Sequence, residues 1–205
     1  MTTPLPFRRG VAAEVFRRAW RSSLDLPGYA VVVFDSPVSS HELRRAMWEL
    51  VEAFPVRFAP ERLGRFDQQV SSKFHRDGAP DESLLLLGYE PTTVTSRVFV
   101  ADAAHAALEV GMGVREFLAA FNPMFPAGEE KLRPFVTELE LPTNAPHIVA
   151  INNSVSLGLL HRAIITAPDR TASRVINSMG LALDGDPTVL PMTAMERFLT
   201  REDLD

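Results

Sequence analysis

The amino-acid sequence predicts a protein of the β-rich α+β class, and three observations support this prediction. Helical periodicity occurs mainly in the first third of the chain and in one later insertion. Most other apolar segments are short, rich in β-branched and aromatic residues, and bounded by Pro, Gly or Asp, as β-strands are. Strand-like and helix-like segments do not alternate as they would in a parallel α/β sheet. We therefore expect a β-rich core with helices packed around it.

The amino-terminal part of the chain, at about residues 8–54, is predicted to form two helices around one strand. Val11, Val15 and Trp20 recur at helical spacing and indicate an amphipathic first helix. The continuous apolar run at residues 29–34 is long enough for a buried strand and too short for a helix. Ser39 and Glu42 form a capping-box pattern, which predicts that the second helix begins there.

The rest of the chain is predicted to be mostly strands. We expect strands at residues 66–74, 83–89, 92–100, 135–141, 147–151, 157–166 and 173–183. Helices at 102–110 and 114–121 form a predicted insertion at about 102–122, followed by a loop at 122–128. A last helix is expected at about 193–202, since Thr193 and Glu196 repeat the capping pattern. The whole chain, 1–205, is expected to be one domain with its β core at about 62–185.

Composition restricts the function classes. The net charge of −5 argues against a nucleic-acid binder, because phosphate-backbone affinity depends on clustered Lys and Arg. Cysteine is absent, which rules out disulfides, thiol nucleophiles and Cys-held metals within this chain. No apolar run reaches the ~20 residues of a membrane span, and the first residues lack the apolar core of a signal peptide. We therefore expect a cytoplasmic protein with no membrane partner.

A candidate metal site is the main functional signal. If residues up to 77 continue a strand, His75 and Asp77 point to the same face and can meet at one ion. His161, from a distant strand, would complete a set of two His and one carboxylate, which suits non-haem Fe(II). Gln69 and Ser71, with Lys73, would share the face of His75 and line a wet cavity.

Other interpretations of these residues remain open. Each histidine, taken singly, is as readily an ordinary half-buried side chain. The letters His75-Arg76-Asp77 also occur in the catalytic loop of protein kinases. In that loop an Asn follows five residues after Asp, whereas this chain has Glu82 there and no phosphate-binding loop. No Gly-x-Ser-x-Gly elbow indicates a hydrolase.

Taken in this order, the motifs resemble those of the Fe(II)/2-oxoglutarate-dependent oxygenases. The matching features are His75-Arg76-Asp77, then Leu159-Leu160-His161, then Arg174 within a strand. The resemblance implies a double-stranded β-helix, a jelly-roll or cupin-like core with flanking helices. It also implies that His75, Asp77 and His161 bind iron, and that Arg174 binds the far carboxylate of 2-oxoglutarate, with Arg170 as the competing candidate. Gln69 and Ser71 would contact the co-substrate.

The same resemblance implies the reaction class. Fe(II), 2-oxoglutarate and O2 would hydroxylate, or oxidatively demethylate, a small-molecule or peptide substrate. Two alternatives use the same fold: a cupin-type metal-dependent isomerase or dioxygenase that does not use 2-oxoglutarate, and a non-catalytic jelly-roll binding domain. The sequence identifies neither the substrate nor the oligomeric state, and a homodimer is compatible with it.

Overall fold

The computed structural model describes residues 2–78, 80–142, 144–167, 169, 171–183 and 190–205. The strands are β1 (Leu5–Pro6), β2 (Tyr29–Val33), β3 (Phe58–Asp67), β4 (Ser83–Tyr89), β5 (Thr95–Ala101), β6 (Val136–Glu138), β7 (His147–Asn152), β8 (Leu160–Ala167) and β9 (Val175–Leu183). The helices are α1 (Val11–Ala19), α2 (Ser40–Glu52), α3 (Ala103–Glu109), α4 (Val114–Ala120), α5 (Pro126–Leu132) and α6 (Met192–Thr200). A 3-10 turn, Arg133–Phe135, connects α5 to β6.

The strands form two sheets. The large sheet has the order β1-β2-β7-β4-β9-β3, and the small sheet has the order β6-β5-β8. All neighbouring strands are antiparallel except β1 and β2. An antiparallel bridge between His75 and His161 adds the segment after β3 to the free edge of β8. From β3 onward the chain passes back and forth between two facing sheets, which is the jelly-roll arrangement. The predicted β-rich α+β class and jelly-roll core are confirmed.

The space between the sheets is filled by one apolar cluster. The large sheet contributes residues such as Leu87, Val149 and Ile176, and the small sheet contributes Val98 and Val100. The outer face of the large sheet is covered by α1, α2 and α6 through a second cluster, so both faces of β4 are buried. This explains the continuous apolar sequence of β4, since a strand that is buried on both faces has no polar side.

The helical insertion α3 to α5 packs on the outer face of the small sheet. Phe99 of β5, Phe117 of α4 and Leu160 of β8 belong to this third cluster. The insertion begins after Ala101, which pairs with Leu160. It therefore lies at the end of the small sheet where His161 is located.

The predicted strand at 66–74 is wrong in position. The observed strand β3 is Phe58–Asp67, and residues 68–74 are outside regular strands. Pro60 and several charged residues concealed β3 in the sequence. They are tolerated because β3 is the edge strand of the large sheet and its register shifts between Pro60 and Arg62, where no ladder bond from proline is needed.

Other boundaries differ by smaller amounts. Residues 122–128 were expected to be a loop, but α5 begins at Pro126, since proline is compatible with the first turn of a helix. The two-residue strand β1 was not expected, and α6 begins at Met192 rather than at Thr193. The capping box of α2 is present, with Ser39 Oγ accepting the Glu42 N–H. Residues 184 and 185, at the end of the predicted core, lie outside the described residues.

None of the helices in the described part of the chain combines the length and the apolar character that a membrane span requires.

Candidate metal centre

Three predicted ligand residues meet at the rim of the jelly-roll. His75 and Asp77 follow β3, and His161 is the second residue of β8. One ligand atom from each lies within 4.8 Å of the others. His75 Nε2 is 3.5 Å from Asp77 Oδ1, and the two imidazole rings have their centroids 4.3 Å apart. Residues that are far apart in the sequence thus form one compact group of nitrogen and oxygen donors.

The backbone brings the two histidines together. The His75 N–H donates to the His161 carbonyl oxygen over 3.1 Å, and the His161 N–H donates to the His75 carbonyl oxygen over 2.8 Å. Three residues before His75, the Ser72 N–H donates to the Ala163 carbonyl oxygen over 2.9 Å. His161 is also paired with Val100, whose side chain lies between the sheets, so the imidazole of His161 faces the interior.

The loop that carries Asp77 is hydrogen-bonded to Asn153, at the end of a strand of the large sheet. Asn153, directly after β7, donates from Nδ2 to the Asp77 carbonyl oxygen over 3.1 Å. Arg76 donates from its guanidinium to the Asn153 carbonyl oxygen over 2.8 Å. Asn153 is 1% exposed. This buried residue therefore fixes the loop that carries two of the three candidate ligands.

The protonation state of His161 suits metal binding. Burial, together with the nearby His75, lowers the pKa of His161 to about 4, while Asp77 opposes this shift. The ring is therefore neutral at pH 7, as a metal ligand must be. Its Nδ1 atom is buried and has no hydrogen-bond partner among the described residues.

The hydrogen bonding of His75 also suits metal binding. Its Nδ1 atom lies 2.7 Å from the Lys73 carbonyl oxygen. A carbonyl oxygen only accepts, so Nδ1 carries the hydrogen in the neutral ring and Nε2, near Asp77, has the free lone pair. Two imidazole nitrogens and one carboxylate oxygen form a donor set that fits non-haem Fe(II).

Arg174 lies just before β9 and is 2% exposed. It donates from Nε to Ser96 Oγ over 2.8 Å and from a terminal nitrogen to Gln68 Oε1. Its guanidinium carbon is 4.9 Å from the centre of the Tyr89 ring. Within the described ranges, no carboxylate forms an ion pair with this guanidinium, and the Asp67 carboxylate accepts the Arg174 backbone N–H over 2.8 Å. The competing candidate, Arg170, lies outside the described residues.

The structure gives the other predicted cavity residues protein partners. Gln69 donates to the Asp67 carboxylate over 2.8 Å and to the Ala172 carbonyl oxygen over 2.9 Å. Ser71 Oγ accepts the Ile165 N–H over 2.9 Å, and Lys73 forms an exposed ion pair with Glu129 over 3.4 Å. Their expected common face depended on a strand at 66–74, which is not formed. We leave them out of the proposed cofactor site.

Two residues of interest were not identified from the sequence. Asn153 had the pattern of an ordinary turn between strands, and His147 had no partner at ligand spacing. Both act through residues that are distant in the chain: Asn153 through Asp77, and His147 through stacking on Tyr89. Only the topology brings these pairs together.

Comparison with known proteins gives similar structures only. No protein-family model and no curated protein sequence matches the chain. The chain is similar to the crystal structure of asparagine oxygenase (AsnO), with a TM-score of 0.48 and 13% identity over 82% of this chain and 76% of that chain. It is also similar to asparagine oxygenase in complex with Fe(II), 2S,3S-3-hydroxyasparagine and succinate, with a TM-score of 0.47, 13% identity and the same coverage of 82% and 76%.

A third similar structure is AAD-2 in complex with Mn(II) and N-oxalylglycine, with a TM-score of 0.43 and 16% identity over 92% of this chain and 94% of that chain. At these identities and TM-scores, the function of this chain has to follow from its own residues.

Proposed function

We propose that this protein is a non-haem Fe(II)- and 2-oxoglutarate-dependent oxygenase that hydroxylates, or oxidatively demethylates, a small-molecule or peptide substrate. The observation that supports this proposal most is the convergence of His75, Asp77 and His161 within 4.8 Å. When bound, Fe(II) with 2-oxoglutarate and O2 supplies the oxidation of a substrate C–H bond to C–OH, with 2-oxoglutarate converted to succinate and CO2.

The three proposed protein ligands differ in charge. His75 and His161 bind as neutral donors, and Asp77 supplies a negative charge that offsets part of the charge of Fe(II). Because three protein side chains leave other coordination positions free, co-substrate and O2 have room to bind. Asn153 keeps the Asp77 loop in place through its bond to the Asp77 carbonyl oxygen.

Arg174 is the proposed anchor of the co-substrate. Its planar guanidinium matches a carboxylate and stays charged at any working pH. The bonds to Ser96 and Gln68 fix its position, and it has no carboxylate partner in the part of the chain that the structure describes. The apolar residues between the sheets, such as Leu87, Ala163 and Ile176, exclude water from this region and strengthen the interaction.

The proposal is tested by succinate release. The purified protein with Fe(II), ascorbate and 2-oxoglutarate is expected to form succinate slowly even without substrate. His75→Ala, Asp77→Ala and His161→Ala are each expected to abolish this activity and to weaken Mn(II) binding, measured by electron paramagnetic resonance. His41→Ala is the matched control, since His41 lies in the first turn of α2. Unchanged Mn(II) binding in the three variants would show that the ligand assignment is wrong.

The role of Arg174 needs a separate measurement. Arg174→Gln is expected to raise KM for 2-oxoglutarate at least about tenfold, which corresponds to ~1.4 kcal/mol of lost binding. Mn(II) affinity should remain unchanged. Arg115→Gln is the control, because the side chain of Arg115 is 74% exposed. An unchanged KM in Arg174→Gln would exclude this residue as the anchor.

A second candidate function is that of a jelly-roll metal enzyme that does not use 2-oxoglutarate. One observation favours it: Arg174 lines a cavity whose lining residues include none of the three candidate ligands. This candidate predicts Mn(II) binding that depends on His75 and His161, together with no succinate release under any condition.

A further inference from the structure

A cavity lies between the helical insertion and the loop that carries Asp77. Its volume is about 540 Å³. Helix α4 contributes Val114 and Leu118 to the lining, and the turn after β7 contributes Val155. None of the three candidate metal ligands lines this cavity, although Arg76 does. The cavity therefore adjoins the metal-binding loop without being part of the metal centre.

Arg76 places a cation at this cavity. Its guanidinium donates to the Asn153 carbonyl oxygen over 2.8 Å, and the next two residues, Ser154 and Val155, line the same cavity. The other guanidinium nitrogens have no protein partner within the described ranges and are not enclosed by protein. Most of the N–H donors of Arg76 are thus free to bind a ligand.

The other charged residues of the lining neutralise each other. Arg115 donates to Asp81 over 2.8 Å, whereas Arg76 takes part in no ion pair among the described residues. Burial lowers the pKa of Arg76, Asp81 opposes this shift, and Arg115 adds to it. Two guanidinium groups and one carboxylate give the lining a net charge of +1. The cavity therefore attracts an anion.

Apolar side chains form much of the remaining lining. Val114 and Leu118 are one helical turn apart and share a face of α4. Both are only partly buried by the third apolar cluster, so part of their surface is left at the cavity. Val155 and Leu160 also line it. A ligand with an apolar group would remove this surface from water, which favours binding.

We propose that this cavity is a second small-molecule site, which binds a monocarboxylate with an apolar chain. The carboxylate accepts from Arg76, and the chain packs against Val114 and Leu118. The volume equals that of about eighteen water molecules at ~30 Å³ each, so the cavity has room for a chain of about six carbon atoms. This inference does not depend on the proposed oxygenase function, because it uses neither the candidate metal ligands nor Arg174.

The experiment separates the contribution of the charge from that of the chain. Hexanoate, acetate and hexylammonium are titrated into the full chain without metal and observed by ligand-detected NMR. Acetate has the same charge without the chain, and hexylammonium has the chain with the opposite charge. The wild-type protein is expected to bind hexanoate at least about tenfold more tightly than either of the other two. No binding of hexanoate, or equal affinity for hexanoate and either comparison compound, would overturn the proposal.

Two variants change different parts of the lining. Arg76→Gln removes the charge and keeps an amide donor. Leu118→Glu introduces a carboxylate into the apolar wall at a partly exposed position of α4. Each variant is expected to bind hexanoate at least about tenfold more weakly, with its folding checked by circular dichroism. Arg133→Gln is the control, because the side chain of Arg133 is 73% exposed and does not line the cavity.

The variants also locate the bound acid. Hexanoate affinity that is unchanged in folded Arg76→Gln or in Leu118→Glu would overturn the proposal, and Leu118→Glu decides alone if Arg76→Gln does not fold. His75→Ala and Arg174→Gln should both bind hexanoate like the wild-type protein. Loss of binding in His75→Ala would place the acid at the metal centre, and loss in Arg174→Gln would place it at the proposed co-substrate anchor. Either result would refute the assignment to this cavity.

Discussion

Replacing Asn153 with Ala tests how the two sheets together build the metal centre. The side chain of Asn153 donates to the Asp77 carbonyl oxygen over 3.1 Å and to Ser83 Oγ over 3.4 Å. The backbone carbonyl of Asn153, which accepts from Arg76 and Ser83, is retained in the variant. The substitution therefore removes the side-chain bond from Asn153 to Asp77 and retains the bonds to the Asn153 backbone carbonyl, including that from Arg76.

The expected size of the effect follows from these contacts. The bond to Ser83 is long and weak, so the main loss is the bond to the Asp77 carbonyl oxygen. Removing the donor of a buried hydrogen bond costs ~1–3 kcal/mol when the acceptor is left without a partner. We expect the free energy of unfolding to fall by about this amount. Removing a residue that orients a metal ligand lowers metal affinity by roughly 10- to 100-fold, and we expect the same range for Mn(II).

Asn152→Ala is the matched control. Asn152 is equally buried, at 1% exposed, and its Oδ1 accepts the Ser154 N–H over 2.9 Å. Its loss weakens the same turn without touching Asp77. Urea denaturation should show that both variants are destabilised, whereas Mn(II) titration should show weaker binding only for Asn153→Ala. If both variants bind Mn(II) like the wild-type protein, the tie to Asp77 has no role in positioning the ligand.

Three further predictions concern stability. Gly88→Ala would place a Cβ 2.5 Å from Met47 Sδ, so we expect a loss of ~1–3 kcal/mol in urea denaturation. Because Met47 is fully buried, Met47→Ala is destabilising by itself, and the double variant should lose less stability than the sum of the two single variants. The pKa of His147 is about 4 in the folded protein and 6.5 in its ordinary state, so the stability that its neutral ring contributes is present above pH 6.5 and is lost, by ~3 kcal/mol, as the pH falls through 4. His161, whose pKa is also about 4, adds a further loss in the same pH range. Denaturation of metal-free protein at several pH values should show this loss, and His147→Phe should reduce it. Ser39→Ala removes the hydroxyl that accepts the Glu42 N–H and should cost ~1 kcal/mol, whereas an unchanged melting temperature would contradict the role of this cap.

The sequence predicts strands with buried faces, such as β4. It does not predict the position of the edge strand β3, which is formed through pairing with β9. The segment of β4 is apolar on both faces because helices cover one side and the small sheet covers the other, and this pattern is visible in the sequence. Strand β3 is an edge strand with Pro60 inside it, so its local sequence gives little strand signal. Its place in the sheet is determined by pairing with β9, which the sequence does not show.

In the candidate site, too, contacts between distant segments could not be predicted from the local sequence. The spacing of His75 and Asp77 was informative, although the reason differs from the expected strand alternation. His75 forms an isolated bridge to His161, and Asp77 is placed by Asn153 in the following loop. The misplaced strand also led to the expectation that Gln69 shares a cavity with His75, whereas its amide is bonded to Asp67. Contacts between distant segments decide where such polar side chains point.

The candidate ligands are divided between the two layers of the protein. His75 and His161 are joined by reciprocal backbone bonds and belong to the small sheet, whereas the loop of Asp77 is tied to the large sheet through Asn153. The relative position of the two layers therefore sets the distance between the carboxylate and the imidazole pair, so a substitution between the sheets can alter this distance without replacing any of the three candidate ligands.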